Sequence, residues 1–556
     1  MRKQWLLTAL MIGSVACSKQ VTTADFNIVP MPQRIEPLAE EGFVIRNSTR
    51  IVYPEGNKVL KRNAELLAEY IADIAELKLN VTSRETDSNA ILLKTNFTNS
   101  NPEAYQLTVG EQTVTINGSS EAGVFYGMQT LRKAIPAGSE GCNIALPAVE
   151  ITDMPRFGYR GMHLDVARHF FPKEFIKRYI DILAMHNINR FHWHLTDDQG
   201  WRIEIKKYPE LAEKGQWRKE TLVGTLYTDD KKYDGTPYGG YYTQDDIREI
   251  VDYARERFIT IIPEIDLPGH MLAALSVYPE FGCTGGPYET ATEWGIFPDI
   301  LCMGNERTYA FLEDIFAEIT DLFPSEFIHI GGDEAPKERW EACPKCQARI
   351  RELGIRATKE HSAENQLQSY VVQRIEKFLN DRGREVIGWD EILEGGIGGG
   401  ATVMSWRGIE GGIKAAGVGH DVIMVPCQTL YFDYYQSKET ENEPLAIGGY
   451  VPVRKVYDYE PIPETLTPEQ SFHIIGVQAN LWTEYITTPE HVEYMLLPRL
   501  AALAEVQWTQ PGTKNYDGFL DRMDALFHLY DKYGYHYAGH IRQTAGTEAR
   551  SAGSPR

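Results

Sequence analysis

Two adjacent acids, Asp333 and Glu334, close the stretch F-I-H-I-G-G-D-E-A-P over residues 327–336. Phe327, Ile328 and Ile330 suit a strand buried on both faces, and the two glycines break it where the acids emerge. In a (β/α)8 barrel the loops after the carboxyl ends of the strands carry the chemistry, so Gly-Gly-Asp-Glu at such a point reads as a catalytic pair. Taken alone, an Asp-Glu pair is more often the acidic cap and first turn of a helix. The other strand ends decide between these readings.

Each of eight apolar runs ends in residues that a core would not select. The first gives Leu164-Asp165-Val166-Ala167-Arg168-His169, the second His192-Trp193-His194-Leu195-Thr196-Asp197-Asp198, and the third Glu264-Ile265-Asp266-Leu267-Pro268-Gly269-His270. The fifth ends in Gly388-Trp389-Asp390-Glu391, the sixth in Ser405-Trp406-Arg407, the seventh is followed by Tyr431-Phe432-Asp433, and the eighth leads to Leu481-Trp482-Thr483-Glu484. A lone tryptophan is ordinarily core and a lone aspartate a cap, but eight repetitions at the same end point to one pocket. Walls of Trp389, Trp406, Trp482 and Tyr431, with carboxylates and one arginine among them, suit a sugar, whose C–H faces pack on rings while its hydroxyl edges meet polar groups.

The elements that would position these residues follow the same order. Tyr159–Asp165, Asn189–His194, Phe258–Ile265, Phe327–Ile330, Glu385–Trp389, Thr402–Trp406, Asp421–Met424 and Ile474–Asn480 read as strands. Pro172 opens a helix to about Met185, Thr243 caps another with Asp245 and Asp246 in its first turn, and 488–506 reads as a closing helix, with a further helical segment from Asp517 to about Tyr537. Eight strands alternating with helices predict a (β/α)8 TIM barrel over 152–542. Residues 18–151 read as a small α+β supporting domain: Lys58–Leu77 carries an apolar face at helical spacing, Ala90–Lys94, Tyr105–Val109 and Thr113–Ile116 read as strands, and Ser119 or Ser120 caps a helix to Ile135. Residues 543–556 read as a disordered tail.

Composition limits the partners. Of 556 residues, 43% are hydrophobic and 11% aromatic, ample for a large core. The balance of 56 basic against 78 acidic residues gives a net charge of -22 without a basic stripe, which repels phosphate backbones, so no nucleic-acid partner is expected.

Residues 1–17 show Arg2 and Lys3, an apolar run from Trp5 to Ile12, and then Gly13-Ser14-Val15-Ala16-Cys17. The run is too short to span a bilayer and has the pattern of an export signal. A cysteine after small residues resembles a bacterial lipoprotein signal, with Cys17 the lipidated N-terminus, although Ser14 stands where leucine is commoner. The expectation is an exported chain in the periplasm or at the outer-membrane surface, touching a membrane only through an acyl anchor on Cys17.

The remaining cysteines are Cys142, Cys283, Cys302, Cys343, Cys346 and Cys427. In an oxidising compartment, Cys283 with Cys302, flanking one loop, and Cys343 with Cys346, in C-P-K-C, are expected as disulfides. The C-P-K-C pair also reads as half a zinc site, but no second C-x-x-C or H-x-x-x-H accompanies it, so no metal and no cofactor are expected.

The motifs L-D-V-A-R-H-F, H-W-H-L-T-D-D-Q-G-W, H-I-G-G-D-E, G-W-D-E, M-S-W-R-G and L-W-T-E occur in this order between about Phe157 and Trp508. Together they resemble the β-N-acetylhexosaminidases of glycoside hydrolase family 20, and the preceding region resembles that family's small α+β domain. The resemblance implies an exo-acting enzyme that removes terminal N-acetyl-β-D-hexosamine from glycans by substrate assistance. The 2-acetamido oxygen attacks the anomeric carbon and forms an oxazolinium ion, so the two acids need not flank the bond.

The same resemblance assigns roles. Glu334 is implied as the general acid and then base, Asp333 as acceptor of the acetamido N–H, and Tyr431 as the hydrogen-bonding partner on the group's other side. Arg168 is implied for O3 and O4, Glu484 for O4 or O6 and Asp433 for O6, with Trp389, Trp406 and Trp482 as walls and floor. Asp197 and His270 are implied nearby, orienting Glu334 or the O3 edge.

Two other readings are open on the residues. His192-x-His194 at a barrel strand end is compatible with a metal-dependent hydrolase, although the fifth and sixth strands then offer tryptophan where ligands are needed; chelator insensitivity separates the two. A surface glycan-binding lipoprotein without turnover has no use for Glu334, and a chromogenic assay separates that reading.

Overall fold

Eight parallel strands close on themselves in the computed structural model, which describes residues 20–396 and 398–541. They are β1 (Tyr159–Asp165), β2 (Arg190–His194), β3 (Thr260–Glu264), β4 (Phe327–His329), β5 (Glu385–Trp389), β6 (Thr402–Ser405), β7 (Val422–Met424) and β8 (Ile474–Ala479). Closure is made by β8 on β1, with Gly476 opposite Tyr159 and Ala479 opposite Met162. Nearly every strand residue is buried, as expected where side chains fill the barrel on one face and helices cover the other. Inside, Tyr159, Ile262, Ile387, Trp389, Met404, Ile423 and Val425 pack as one cluster.

The outer layer includes helices at Lys173–Met185, Gln244–Arg255, Glu306–Leu322, Ala363–Asn380 and Glu410–Gly417. Thr243 caps the second of these in a reciprocal capping box with Asp246. The closing helix expected over 488–506 is two helices, Pro489–Leu496 and Arg499–Trp508. Pro498 between them lacks the amide hydrogen that a continuous helix needs and crowds the preceding turn. A last helix, Tyr516–Tyr533, ends at Gly534 in a left-handed cap (φ 61°).

Ahead of the barrel, a seven-stranded mixed sheet and a three-stranded sheet pack against helices Lys58–Ala75 and Glu121–Ala134, the latter capped by Ser120. This layer is fixed to the barrel by buried polar contacts near the amino ends of the strands. Arg160 of β1 meets Glu103 at 2.6 Å, and Asp153 accepts from Tyr105 Oη at 2.8 Å and from Trp508 Nε1 at 2.9 Å. The domain therefore grips the end of the barrel opposite the reactive loops.

Neither expected disulfide forms: Cys283, Cys302, Cys343 and Cys346 are free, as are Cys142 and Cys427. The reason is that the two pairs face each other. Cys283 Sγ lies 3.8 Å from Cys346 Sγ, and Cys302 Sγ lies 3.7 Å from both Cys343 and Cys346, beyond the roughly 2.05 Å of a sulfur–sulfur bond. Cys17 and residues 543–556 lie outside the described residues, among which no helix is long and apolar enough to cross a membrane.

Candidate active site

The acids of the 327–336 stretch sit where the chain leaves β4 through two glycines with left-handed backbone, Gly331 (φ 67°) and Gly332 (φ 102°). Gly331 is required by contact as well as by conformation: a Cβ there would stand 1.7 Å from Asp266 Oδ1. Asp266 in turn accepts the Gly332 amide at 3.2 Å, so the loop is pinned before it presents Asp333. Glu334 itself has φ 44°, a left-handed conformation uncommon in non-glycine residues.

One cavity of about 280 Å³ at the carboxyl end of the barrel is lined by Arg168, Asp197, His270, Asp333, Glu334, Trp389, Trp406, Tyr431, Asp433, Trp482 and Glu484. All the catalytic and sugar-binding candidates read from the sequence thus converge. The volume is at the small end of ligand sites, about 300–1,000 Å³, which suits one sugar ring. Glu334 also lines an adjoining cavity with Lys337, Glu391 and Arg407, so it stands between two spaces. A larger groove of about 560 Å³ runs along the seam with the amino-terminal domain, where Arg62 is paired with Glu256 at 2.9 Å and Glu103 with Arg160.

The rings form the walls. Trp406 stacks on Tyr431 with centroids 6.1 Å apart, Trp389 and Trp482 lie 5.9 Å apart, and Tyr431 lies 6.4 Å from Trp482. Each is held by a polar edge or a neighbouring strand. Trp406 Nε1 donates to Glu391 at 2.9 Å, Trp389 Nε1 donates to Glu264 at 2.9 Å, and Tyr431 bridges Asn480 beyond the end of β8. Arg168 lies over Trp482, 5.1 Å from its centroid, with Nη2 2.9 Å from Asp197 and Nε donating to Gln199 at 3.0 Å.

Asp333 and Glu334 are joined to the neighbouring acids through His270. Its Nδ1 lies 2.9 Å from Asp198 and 3.2 Å from Asp197, and its Nε2 lies 3.5 Å from Glu334 and 3.8 Å from Asp333. Burial works against charge on the ring, but Asp197 and Asp198 outweigh it and raise His270 well above the ordinary histidine range. Asp197 is likewise disfavoured by burial yet held below the usual carboxylate range by Arg168 and His270. Burial, with Glu334 adding to it, pushes Asp333 up to about 6 despite the opposing His270. Its Oδ1 has no hydrogen-bond partner in the protein, and neither has Oδ1 of Asp433, whose carboxyl burial and then Glu484 raise well above the usual range. Two buried acceptors in a cavity wall call for N–H and O–H donors from a ligand.

Several residues that the sequence reading did not single out complete the site. Glu264, fully buried at the end of β3, contacts His194, His192 (3.0 Å), His329 (3.0 Å) and Trp389, and so fixes the floor. His192 and His194, read from the sequence as conceivable metal ligands, both turn toward it. Burial, Asp333 and other neighbours push Glu391 up to about 8, keeping it a neutral partner of Trp406 below that pH. Tyr227, Trp294 and Ile296 reach the cavity from the long loops 207–242 and 284–300. Their arrival was not legible, because loop conformation is not set by local periodicity.

Comparison with known families agrees with this arrangement. Residues 157–511 match the glycosyl hydrolase family 20 catalytic domain, and residues 25–154 match that family's domain 2. The chain is 44% identical over 542 residues to a beta-hexosaminidase of Porphyromonas gingivalis, covering 95% of this chain and 67% of that one. The structure of the beta-N-acetylhexosaminidase of Streptomyces coelicolor superposes with a TM-score of 0.78 at 31% identity, covering 92% of this chain and 97% of that one. An exo beta-N-acetylglucosaminidase of Vibrio harveyi, solved in complex with N-acetylglucosamine, superposes with a TM-score of 0.80 at 31% identity, covering 96% and 81% of the two chains.

Proposed function

The chain belongs to glycosyl hydrolase family 20 and is a glycoside hydrolase of the beta-hexosaminidase type, and on that premise we propose that it releases terminal non-reducing N-acetyl-β-D-hexosamine by substrate-assisted, retaining catalysis. The observation that carries this reading is Asp333, adjacent to Glu334, with an unpartnered carboxylate oxygen in a tryptophan-walled cavity.

In the first step the acetamido oxygen of the sugar attacks the anomeric carbon, the bond to the leaving oxygen breaks, and Glu334 delivers its proton to that oxygen. Asp333 accepts the acetamido N–H, holds the group in line and balances the positive charge of the oxazolinium ion, while Tyr431 engages the group from the other side. Glu334, now ionised, deprotonates a water that reopens the ring with retention. Arg168 forks onto O3 and O4, Asp433 and Glu484 take O6 and O4, and Trp389, Trp406 and Trp482 enclose the acetamido group and the ring face. Asp197 and His270 keep Glu334 in place.

The test is hydrolysis of p-nitrophenyl N-acetyl-β-glucosaminide beside the plain β-glucoside, with Asp333→Ala as control. Cleavage of the acetamido sugar alone, lost in the variant and yielding the β-anomer first by proton NMR, is the expected result. Equal cleavage of both sugars would remove the acetamido group from the mechanism, and cleavage of neither would favour a binding protein. Export and lipid anchoring at Cys17 belong to the same proposal; Cys17→Ala should shift the protein from the membrane to the soluble fraction of the cells that make it.

A further inference from the structure

The four cysteines that do not bridge are arranged around a common centre. Cys283, Cys302, Cys343 and Cys346 place their sulfurs all within 4.8 Å of one another, and three of the separations are 3.7, 3.7 and 3.8 Å. A zinc ion bound by thiolates at about 2.3 Å in a tetrahedron has sulfur–sulfur edges of about 3.8 Å. A disulfide, by contrast, would draw one pair to about 2.05 Å and leave the others without a reason to crowd.

The surroundings fit a closed, structural site. Cys302, Cys343 and Cys346 are buried, Cys283 is half-buried, and no carboxylate or histidine shares the cluster. One pair sits where two chain segments meet and the other at the start of a helix. Gly282 bridges Leu301, and Cys302 donates its amide to Phe281 at 2.7 Å, which sets Cys283 beside Cys302. Cys343 caps helix Pro344–Glu352 and Cys346 lies in its first turn, where the helix dipole favours thiolates. The two halves are pressed together through Gly304, at which a Cβ would meet the Lys345 carbonyl carbon at 2.1 Å and the Cys346 nitrogen at 2.3 Å. The grouping was not visible in the sequence, because Cys283 and Cys302 are separated by a long loop instead of two residues.

The geometry points to a tetrathiolate zinc site formed by Cys283, Cys302, Cys343 and Cys346 that fastens the cavity-wall loop to the helices following Glu334. On binding, four S–H bonds are replaced by four S–Zn bonds, four protons pass to solvent, and no oxidation state changes. Cys283 and Cys302 bracket the loop that brings Trp294, Gly295 and Ile296 to the cavity. On the other side Trp340 Nε1 donates to Leu301 at 2.8 Å and Arg339 pairs with Asp299 at 2.7 Å, so the metal would complete an existing seam.

The test is metal analysis of the full chain, purified without a histidine tag, chelator or added metal. One zinc per chain is expected, with the four thiols silent to a thiol reagent until a mercurial or chelator releases the ion. Loss of zinc should lower the unfolding temperature by several degrees. Cys283→Ser, at the most exposed ligand, should reduce retained zinc by about tenfold or more while the chain stays folded by circular dichroism, whereas Cys142→Ser and Cys427→Ser should retain it. A metal-free native chain with the mass of four missing hydrogens would overturn the proposal in favour of two disulfides. Iron in place of zinc, four freely reacting thiols, or full zinc in Cys283→Ser would also overturn it.

Discussion

His270 Nε2 stands 3.5 Å from Glu334 Oε2, and both residues hold left-handed backbone conformations, φ 53° and 44°. The other ring nitrogen is engaged by Asp198 and Asp197, so the imidazole is a charged wedge whose position is set from behind. On the mechanism proposed above, this wedge fixes where Glu334 points. His270→Asn should therefore lower kcat by about 10- to 100-fold with little change in KM. Parallel losses in KM and kcat/KM with an unchanged kcat would place His270 in substrate binding instead.

The acid limb of activity should belong to Asp333. Burial and Glu334 raise its carboxyl to about 6 against the pull of His270, so it is ionised above that pH and protonated below it. The reaction as proposed needs the ionised form to balance oxazolinium charge, so kcat/KM of the free enzyme should fall about tenfold per unit as pH drops below about 6. Asp333→Asn should lose about 10²- to 10³-fold at neutral pH and abolish that limb. An undiminished limb in the variant would assign it to another group.

The barrel was legible because each strand is a short apolar run bounded by turn residues, and the structure moves those bounds by a residue or two. The cavity was legible for a related reason: Trp389, Trp406 and Trp482 sit at the same end of three barrel strands, β5, β6 and β8, where a core would not concentrate them. The role of Glu264 was not legible because its partners His192, His194, Trp389 and His329 come from β2, β5 and β4, and only closure of the barrel brings them to it. The cysteine cluster escaped for the same reason, since its two halves are 41 or more residues apart along the chain. Pairings that depend on closure leave no periodicity in the sequence.

Glu334 as proton donor carries a leaving-group signature. An alkoxide-like sugar oxygen must be protonated as its bond breaks, whereas p-nitrophenolate departs without help. Glu334→Gln should thus lose about 10²- to 10⁴-fold on a chitobiose-type oligosaccharide and markedly less on an activated aryl glycoside. Equal losses on both would point to a role in binding or folding, not acid catalysis.

The hinge that delivers both acids can be tested apart from the chemistry. Gly331 and Gly354 share φ 67°, so alanine at either position suffers the same backbone penalty of about 1–2 kcal/mol. Around Gly354 nothing lies within 4 Å of the added Cβ, while at Gly331 it would stand 1.7 Å from Asp266 Oδ1 and 2.3 Å from its Cγ. Asp266 is fully buried and accepts the Gly332 amide, so it cannot withdraw without releasing the loop. Gly354→Ala should shift the unfolding midpoint only by the backbone penalty and leave kcat unchanged. Gly331→Ala should shift it by at least twice as much and depress kcat, because displacing Asp266 moves Asp333 and Glu334 together. Matching midpoints and full activity in both variants would mean that the loop absorbs the methyl group and that Asp266 does not set the position of the acids.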